Sequence, residues 1–331
     1  MKVLCVLNPE AAGGLALERW PSVAALFQRL KVDFELLSLS SDSSLQGQIV
    51  EHLACGTVRR YDVVAGIGGD GTHAGIINGL MRFRAERPDA ALPPYAFIPI
   101  GTGNDIAKSL GIQIQDVFSP RDLRRAVEAV VHGADYALDL GILGGLYFAD
   151  AVTIGLDSRI LRERNVRKRM IERIPFLRHL ARGRWLYTVS AGSRFFNQPP
   201  VECQIAADGA LWYSGPMINV VINNTRIYAG GFDFSAEAYA DDGLLDVVLF
   251  TGHTDYLAQY LLAIRRNPER IRELSDDLHK RSQHCQAGHV ALRLSAPEPA
   301  QVDGEELPDA ADFEIGIARR ALRIKTPVGP V

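Results

Sequence analysis

From the first residue to about position 135, short apolar runs alternate with stretches in which apolar residues recur at helical spacing. The runs at 2–7, 33–38, 62–66 and 96–100 predict buried strands. Helical patterns fall near 16–30, 43–54, 74–85 and 120–132. The last is the best marked: Ser119 as cap, Pro120 in the first turn, Leu123, Val127, Val130 and Val131 on one face, and Gly133 beyond the end. Strand and helix in alternation predict a doubly wound parallel sheet with helices on both faces. Beyond residue 138 the pattern changes. Segments 146–154, 201–206, 216–223, 244–250, 289–294 and 312–317 read as strands separated by glycine and acidic turns, which predicts an antiparallel sandwich or barrel. Helical insertions interrupt it at 165–196 and 253–281. The expected organisation is an α/β domain over 1–138 and a β-sandwich domain over 139–319.

Two junctions of the first half carry candidate chemistry. In "GIGGDGTHA" the run Tyr61 to Ala65 leads into Gly66, Gly68, Gly69 and Gly71, and Ile76, Ile77, Leu80 and Met81 follow at helical spacing. Strand, glycine loop and helix in that order place free backbone N–H groups where an anion, usually phosphate, is held. Asp70 has the wrong charge for phosphate alone. A divalent cation gives it a use, because Mg²⁺ takes carboxylate and phosphate oxygens together. A capping role for Asp70 in an ordinary βα turn is the plainer alternative. The second junction, "FIPIGTGNDIAKSLGI", runs from a strand through Gly101, Thr102, Gly103, Asn104 and Asp105 into a helix that Asn104 or Asp105 would cap. Two such junctions predict one nucleotide site at the carboxyl edge of the sheet.

Composition narrows the class without naming a ligand. The 331 residues carry a net charge of −3, with 47% hydrophobic and 23% charged residues, which are globular values. No apolar run approaches a membrane span, and the N-terminus reads as a first strand, not a signal peptide. Cys5, Cys55, Cys203 and Cys285 lie far apart, which argues against zinc and a disulfide framework and makes a reducing cytoplasm the simplest setting. There the sequon Asn223-Asn224-Thr225 has no meaning for glycosylation. Segment 159–184 is basic and apolar, suited either to an anionic membrane surface, as on an inner membrane face, or to a solvated helix pair packed on the β domain. No aromatic stacking array accompanies its charge, so nucleic acid is not an expected partner.

Taken together, "GGDGT", "GTGND", "DDGLLDVV" and "VDGE" resemble the diacylglycerol kinase-like lipid kinases, in the right order along nearly the whole chain. "GGDGT" alone also occurs in NAD kinases. The resemblance implies phosphoryl transfer from ATP to a lipid hydroxyl, an active cleft between the two domains, and a C-terminal stretch, 320–331, that returns to the first. It implies that Asn8 and Pro9, with Ala12, Gly13 and Gly14, form a phosphate-side loop. It places Ser38, Gly68, Gly69, Asp70, Gly71, Thr72, Thr102 and Asn104 at the nucleotide. A structural Mg²⁺ would take the carbonyl of Tyr239, the carboxylate of Asp242 and the carbonyl of Leu244, although acidic hairpin turns are common without metal. Glu305 matches the general base, Asp303 its neighbour, and Asp70 would hold catalytic Mg²⁺ or orient that base. Family members are often dimers, so a homodimer is among the implied partners.

The chain also departs from that pattern. After "GGDGT" the family continues with an apolar residue, Asn or His, then Glu, where this chain has His73, Ala74 and Gly75. Asp150 stands where an Asn is usual, "GLDS" ends in Ser158, and Ala236 and Glu237 replace a usual Pro. His73 is read as a local hydrogen-bonding residue, not a base. Two other functions fit parts of the pattern: NAD kinase, and a non-catalytic lipid- or nucleotide-binding protein that has lost the Glu at position 75.

Overall fold

The computed structural model describes residues 1–40, 42–55, 61–101, 103–112, 119–172, 190, 199–228, 232–233, 238–257 and 283–327. Two compact units divide the chain: Met1–Leu140 with Ala318–Val331, and Gly141–Ile317.

In the first unit the continuous apolar runs become the centre of a parallel sheet. Strands β1 (Lys2–Leu7), β3 (Val63–Gly68) and β4 (Tyr95–Pro99) are buried almost throughout, as strands covered on both faces must be. β2 (Asp33–Ser38) lies at one edge and alternates in exposure. Pairing runs β2-β1-β3-β4, all parallel. The final strand of the chain, β16 (Glu305–Thr326), lies parallel to β4 through Ile324 opposite Tyr95 and Lys325 opposite Ala96. β5 (Ala134–Leu143), which the sequence pattern had not marked, brings the buried Asp139 to accept the backbone N–H of Arg320.

Helices α1 (Leu15–Arg29) and α5 (Pro120–His132) cover one face, where Val23, Phe27, Leu123, Val127 and Val130 pack on Cys5, Leu7, Ala65, Ile67 and Ile98. Ser119 caps α5 by accepting the N–H of Asp122, as its sequence predicts. The opposite face meets α3 (Asp70–Glu86), whose His73 ring lies 4.9 Å from Phe97. α3 packs closely on α2 (Leu45–Cys55): a Cβ at Gly75 would lie 2.8 Å from Leu45 Cδ2, and one at Gly79 2.8 Å from Ile49 Cβ.

α3 begins at Asp70, well before the apolar periodicity at 74–85, because its first hydrogen bond runs from His73 N–H to Gly69 O (3.0 Å). Gly69 alone separates it from β3, so Asp70 belongs to a helix terminus and not to a glycine loop. The short α4 (Asp105–Ser109) follows the second junction.

The second unit is antiparallel. β6 (Leu146–Phe148) pairs with the end of β5, and β7 (Ala151–Gly155) leads into α6 (Leu156–Glu172). Then come β8 (Val201–Ala207), β9 (Ala210–Met217), β10 (Asn219–Asn223), the short pair β11 (Ile227–Tyr228) and β12 (Phe232–Asp233), β13 (Leu245–Phe250), β14 (Gln283–Ala287) and β15 (His289–Val302). The order β14-β13-β10-β7-β15-β16 forms one run, and β9-β8 joins β15 at a different stretch of the strand from β7. β15 serves both because its register shifts between Arg293 and Ala300: residues 290–294 pair with β8 and 300–302 with β7. Ile205, Val220, Val247, Leu292 and Ile315 share the resulting core.

Four sequence expectations change here. The predicted 146–154 and 216–223 strands are each two, broken at Ala149-Asp150 and at Ile218; the 312–317 strand is the middle of a strand that begins at Glu305; and the insertion expected at 165–196 starts at Leu156. Residues 173–189 of that insertion and 258–281 of the next lie outside the described residues. The four cysteines are free. Among the described residues no helix is long and apolar enough to cross a membrane.

Gly79→Val should overpack the α2–α3 contact and lower the unfolding free energy by roughly 1–3 kcal/mol. Urea denaturation checks this, and an unchanged midpoint would show that the helices separate freely.

Candidate functional site

The two glycine junctions of the first unit interlock. Ile100 N–H donates to Gly68 O (2.6 Å), and a Cβ on Gly101 would fall 2.5 Å from Gly69 Cα and 2.7 Å from Asn104 Oδ1. No side chain fits at Gly101, and a Cβ at Gly69 would crowd Gly101 Cα at 3.2 Å, so the need for glycine is one of close approach. Across this contact Asn104 N–H donates to Asp70 Oδ2 (2.7 Å). Neither Asn104 nor Asp105 caps α4, as the sequence suggested. Asn104 is the residue before the helix, with φ of 55°, and its side chain makes no capping bond; its Nδ2 donates to Gly101 O (3.1 Å) instead. The carboxylate of Asp70, from another helix, receives the α4 amides.

That arrangement sets the electrostatics of Asp70. Burial raises its carboxyl above the ordinary value, while the amides of Asn104, Asp105 and Ile106 and the Lys108 ammonium pull in the opposite direction. Asp70 Oδ1 and Asn104 Oδ1 are buried and have no hydrogen-bond partner among the described residues. Unmet acceptor oxygens at the carboxyl end of a parallel sheet suit a donor-rich or cationic ligand.

The first loop joins the same cluster. Asn8 N–H donates to Ile67 O (3.1 Å), its Nδ2 to Thr72 Oγ1 (2.9 Å), and its Oδ1 accepts from Glu10 N–H (3.1 Å). Asn8, with Pro9 beside it, is thereby tied to the first turn of α3, where Gly71 and Thr72 sit. Ser38 is exposed at the end of β2, opposite Leu7 in register and so next to the start of the Asn8 loop. Thr102 lies outside the described residues.

Two departures acquire physical content. His73 is buried, with Nδ1 2.6 Å from Tyr95 Oη, and burial drives its pKa down to about 3, against a smaller opposing effect of the Gly68 backbone. It is a neutral, locally bonded ring. At position 75 even a Cβ would meet Leu45, so the family's Glu has no room while Leu45 stays in place.

In the second unit Asp303 and Gly304 form the two-residue turn between β15 and β16, with φ of 47° and 82° and Val302 opposite Glu305. Positive φ at both positions is the hairpin geometry that Asp-Gly favours. The Asp303 carboxylate accepts three backbone N–H groups: Ala149 (2.9 Å), Asp150 (2.9 Å) and Ala151 (3.0 Å). Its own N–H donates to Ala151 O (3.0 Å). Beyond it, Thr225 Oγ1 donates to Asp150 Oδ1 (2.7 Å) and Asn224 Nδ2 to Ala149 O (3.0 Å). Sequence reasoning marked Asp150 only as a departure and did not see this buried network, whose members are scattered polar residues that share no motif. Thr225 and Asn223, the ends of the sequon, are buried within it or beside it.

Glu305 is solvent-accessible beside the turn, yet the surrounding chain removes enough water to raise its carboxyl above the ordinary value; adjacent Glu306 adds to this and Lys168 opposes it. Tyr239, Asp242 and Leu244 lie in a separate turn, where Asp242 Oδ1 accepts Leu244 N–H (2.8 Å) and Tyr239 is exposed. Its donors are oxygens, the kind a hard cation takes, but among the described residues no group of three or more His, Cys, Asp or Glu is placed to hold a metal. Within the basic segment Arg159, Arg162 and Arg167 are in ion pairs with Glu298, Asp309 and Glu163. Arg173, Arg178, Arg182 and Arg184 lie outside the described residues.

Both units of the chain are similar to known proteins. Residues 2–142 match the diacylglycerol kinase catalytic domain, and 151–324 the YegS C-terminal NAD kinase beta sandwich-like domain. A protein of Enterobacter sp. (strain 638) named "Probable lipid kinase YegS-like" is 28% identical over 266 residues, 80% of this chain and 78% of that one. A "Diacylglycerol kinase" of Bacillus subtilis (strain 168) is 24% identical over 75% of this chain and 72% of its own. The fold is similar to that of a diacylglycerol kinase crystal structure from Bacillus anthracis str. Sterne, with a TM-score of 0.68 at 21% identity, covering 98% of this chain and 96% of that one.

Because the carboxyl of Asp70 is raised in the folded state, its ionisation opposes folding, and the stability it allows is full below its unfolded pKa and lost as pH rises through the folded value. Asp70→Asn, which keeps an acceptor oxygen and removes the charge, should therefore stabilise the fold at pH 7, with the gain shrinking towards pH 4. Urea denaturation at both pH values tests the sign; a variant less stable at pH 7 would mean that the α4 amides outweigh burial. Asp303→Ala, by contrast, leaves three amides without an acceptor and should cost about 2–4 kcal/mol in the same assay.

Proposed function

Because this chain belongs to the family that joins a diacylglycerol kinase catalytic domain to a YegS-type C-terminal domain, we propose that it transfers the γ-phosphoryl group of ATP to the hydroxyl of a diacylglycerol-like lipid. The observation that carries this reading is the interlock at Asp70, where Asp70 Oδ1 and Asn104 Oδ1 are buried at a glycine-lined sheet edge without a hydrogen-bond partner among the described residues. Asn8, Pro9, Ser38, Gly68, Gly69, Gly71, Thr72 and Thr102 line the nucleotide, where backbone N–H groups at the start of α3 face its phosphates. Asp70 and Asn104 supply oxygens for Mg²⁺, which when bound offsets the negative charge of the phosphates. The turn of Tyr239, Asp242 and Leu244 holds a second, structural Mg²⁺.

Glu305 takes the proton of the lipid hydroxyl as its oxygen bonds to the γ-phosphorus and the bond to ADP breaks. Asp303 holds the turn beneath it through the three amides and does not touch the reacting atoms. Glu305 works only when ionised, and its carboxyl is raised, so the rate should climb with pH through a range above 4.5, the ordinary value for this group.

Transfer of labelled γ-phosphate from Mg·ATP into a total lipid extract, with products identified by mass, tests the reading. A phosphorylated lipid should form, and Glu305→Ala should lower its rate by about 10²-fold or more. Absence of any lipid product while ATP binds, or an unchanged rate in the variant, would overturn it.

A further inference from the structure

Helix α6 carries Arg159, Arg162, Asn165 and Lys168 at three-residue intervals, and the first three are engaged by the β15–β16 hairpin that bears Glu305. Arg159 forks onto Glu298, with Nε and Nη2 at 2.9 and 2.6 Å from its two oxygens; Glu298 is almost completely buried, so this pair fixes one end of the helix on β15. One turn on, Arg162 meets Asp309 at 2.6 Å and Glu306 at 3.5 Å and donates to Leu307 O (3.2 Å). Asn165 Nδ2 donates to Glu306 Oε1 (2.6 Å). The helix therefore grips the strand at Glu306, next to Glu305, and at the residues that follow it, and Lys168 comes one turn later.

The charges around Glu305 come from three elements. Its own strand supplies Glu306, α6 supplies Lys168, with Arg162 one step away on Glu306 and Asp309, and the turn supplies Asp303, whose carboxylate is occupied by the amides of 149–151. Asp150 lies behind that turn and takes the Thr225 hydroxyl. Two adjacent carboxylates at 305 and 306 repel each other when both ionise, and a base must ionise. We propose that α6 is a positioning element for the reaction, in which Arg162 neutralises Glu306 and Lys168 supports ionised Glu305, so that the carboxylate next to the turn is the one free to accept a proton. The directions agree: Glu306 raises the Glu305 carboxyl and Lys168 lowers it. The inference rests on the reading of Glu305 as proton acceptor, and it adds residues that no motif marks.

The test is the titration of the Glu305 carboxyl carbon by ¹³C NMR of the full chain labelled at glutamate side chains, with the signal assigned by its loss in Glu305→Gln. Glu306→Gln should move the titration to lower pH, and Lys168→Met and Arg162→Met to higher pH. Adding Glu306→Gln to Arg162→Met should reverse the displacement, whereas a merely structural role for Arg162 would leave the double variant as displaced as the single one. The acid limb of the phosphoryl-transfer profile should move with each titration. Titrations that coincide with wild type in folded variants, or a double variant that fails to reverse, would overturn the proposal. So would titrations that move while the limb stays fixed. A wild type that transfers no phosphoryl group at all would defeat the kinase reading instead, and the NMR comparison would still decide whether α6 sets the field at Glu305.

Discussion

Gly69 and Gly101 meet backbone to backbone, and the candidate nucleotide site is built outward from that contact. Adjacent parallel strands end there, and the absence of a side chain at Gly101 lets both chain turns close into helices. The closeness brings the first turn of α3 against the approach to α4 and lets Asp70 accept the N–H of Asn104. Asn8 joins from a third strand end through Thr72. A Cβ at position 101 would displace the partner backbone and Asn104 together, so the two motifs are one object separated only in sequence.

Asp303 and Asp70 both receive backbone amides, with different results. Asp303 takes three N–H groups, in keeping with a structural anchor that fixes a two-residue turn. Asp70 also faces amides, but burial outweighs them, and its Oδ1 has no hydrogen-bond partner among the described residues. An incompletely satisfied buried charge is costly, and sites that bind charged ligands are where such costs persist.

The α/β half was legible because its strands are covered on both faces and therefore read as unbroken apolar runs, as at Val63 and Val64 or Phe97 and Ile98. Element starts were harder. α3 opens with Asp70, Gly71 and Thr72, none of which announces a helix, since its first turn is specified by the glycine contact and not by periodicity. In the β half, the strand from Glu305 was visible only near 312–317, because its flanks carry Glu, Arg and Asp that face α6 or solvent. The glycine motifs and Asp303-Gly304 stood out in sequence through turn chemistry and resemblance. The Asp150–Thr225–Asn224 network and the Arg162–Glu306 pair did not, because tertiary contacts between residues dozens of positions apart leave no local pattern. The reason for Gly75 was equally hidden until Leu45 was seen against it.

The route of β16 has a consequence for synthesis of the protein. The first unit needs Ile324 and Lys325 beside β4 and the amide of Arg320 on Asp139, although its other strands are made within the first 140 residues. On the ribosome, β4 must wait with an open edge while the whole second unit is translated. An exposed strand edge is a template for pairing with other chains, so this interval is when a nascent chain is most open to misassociation and to chaperone capture.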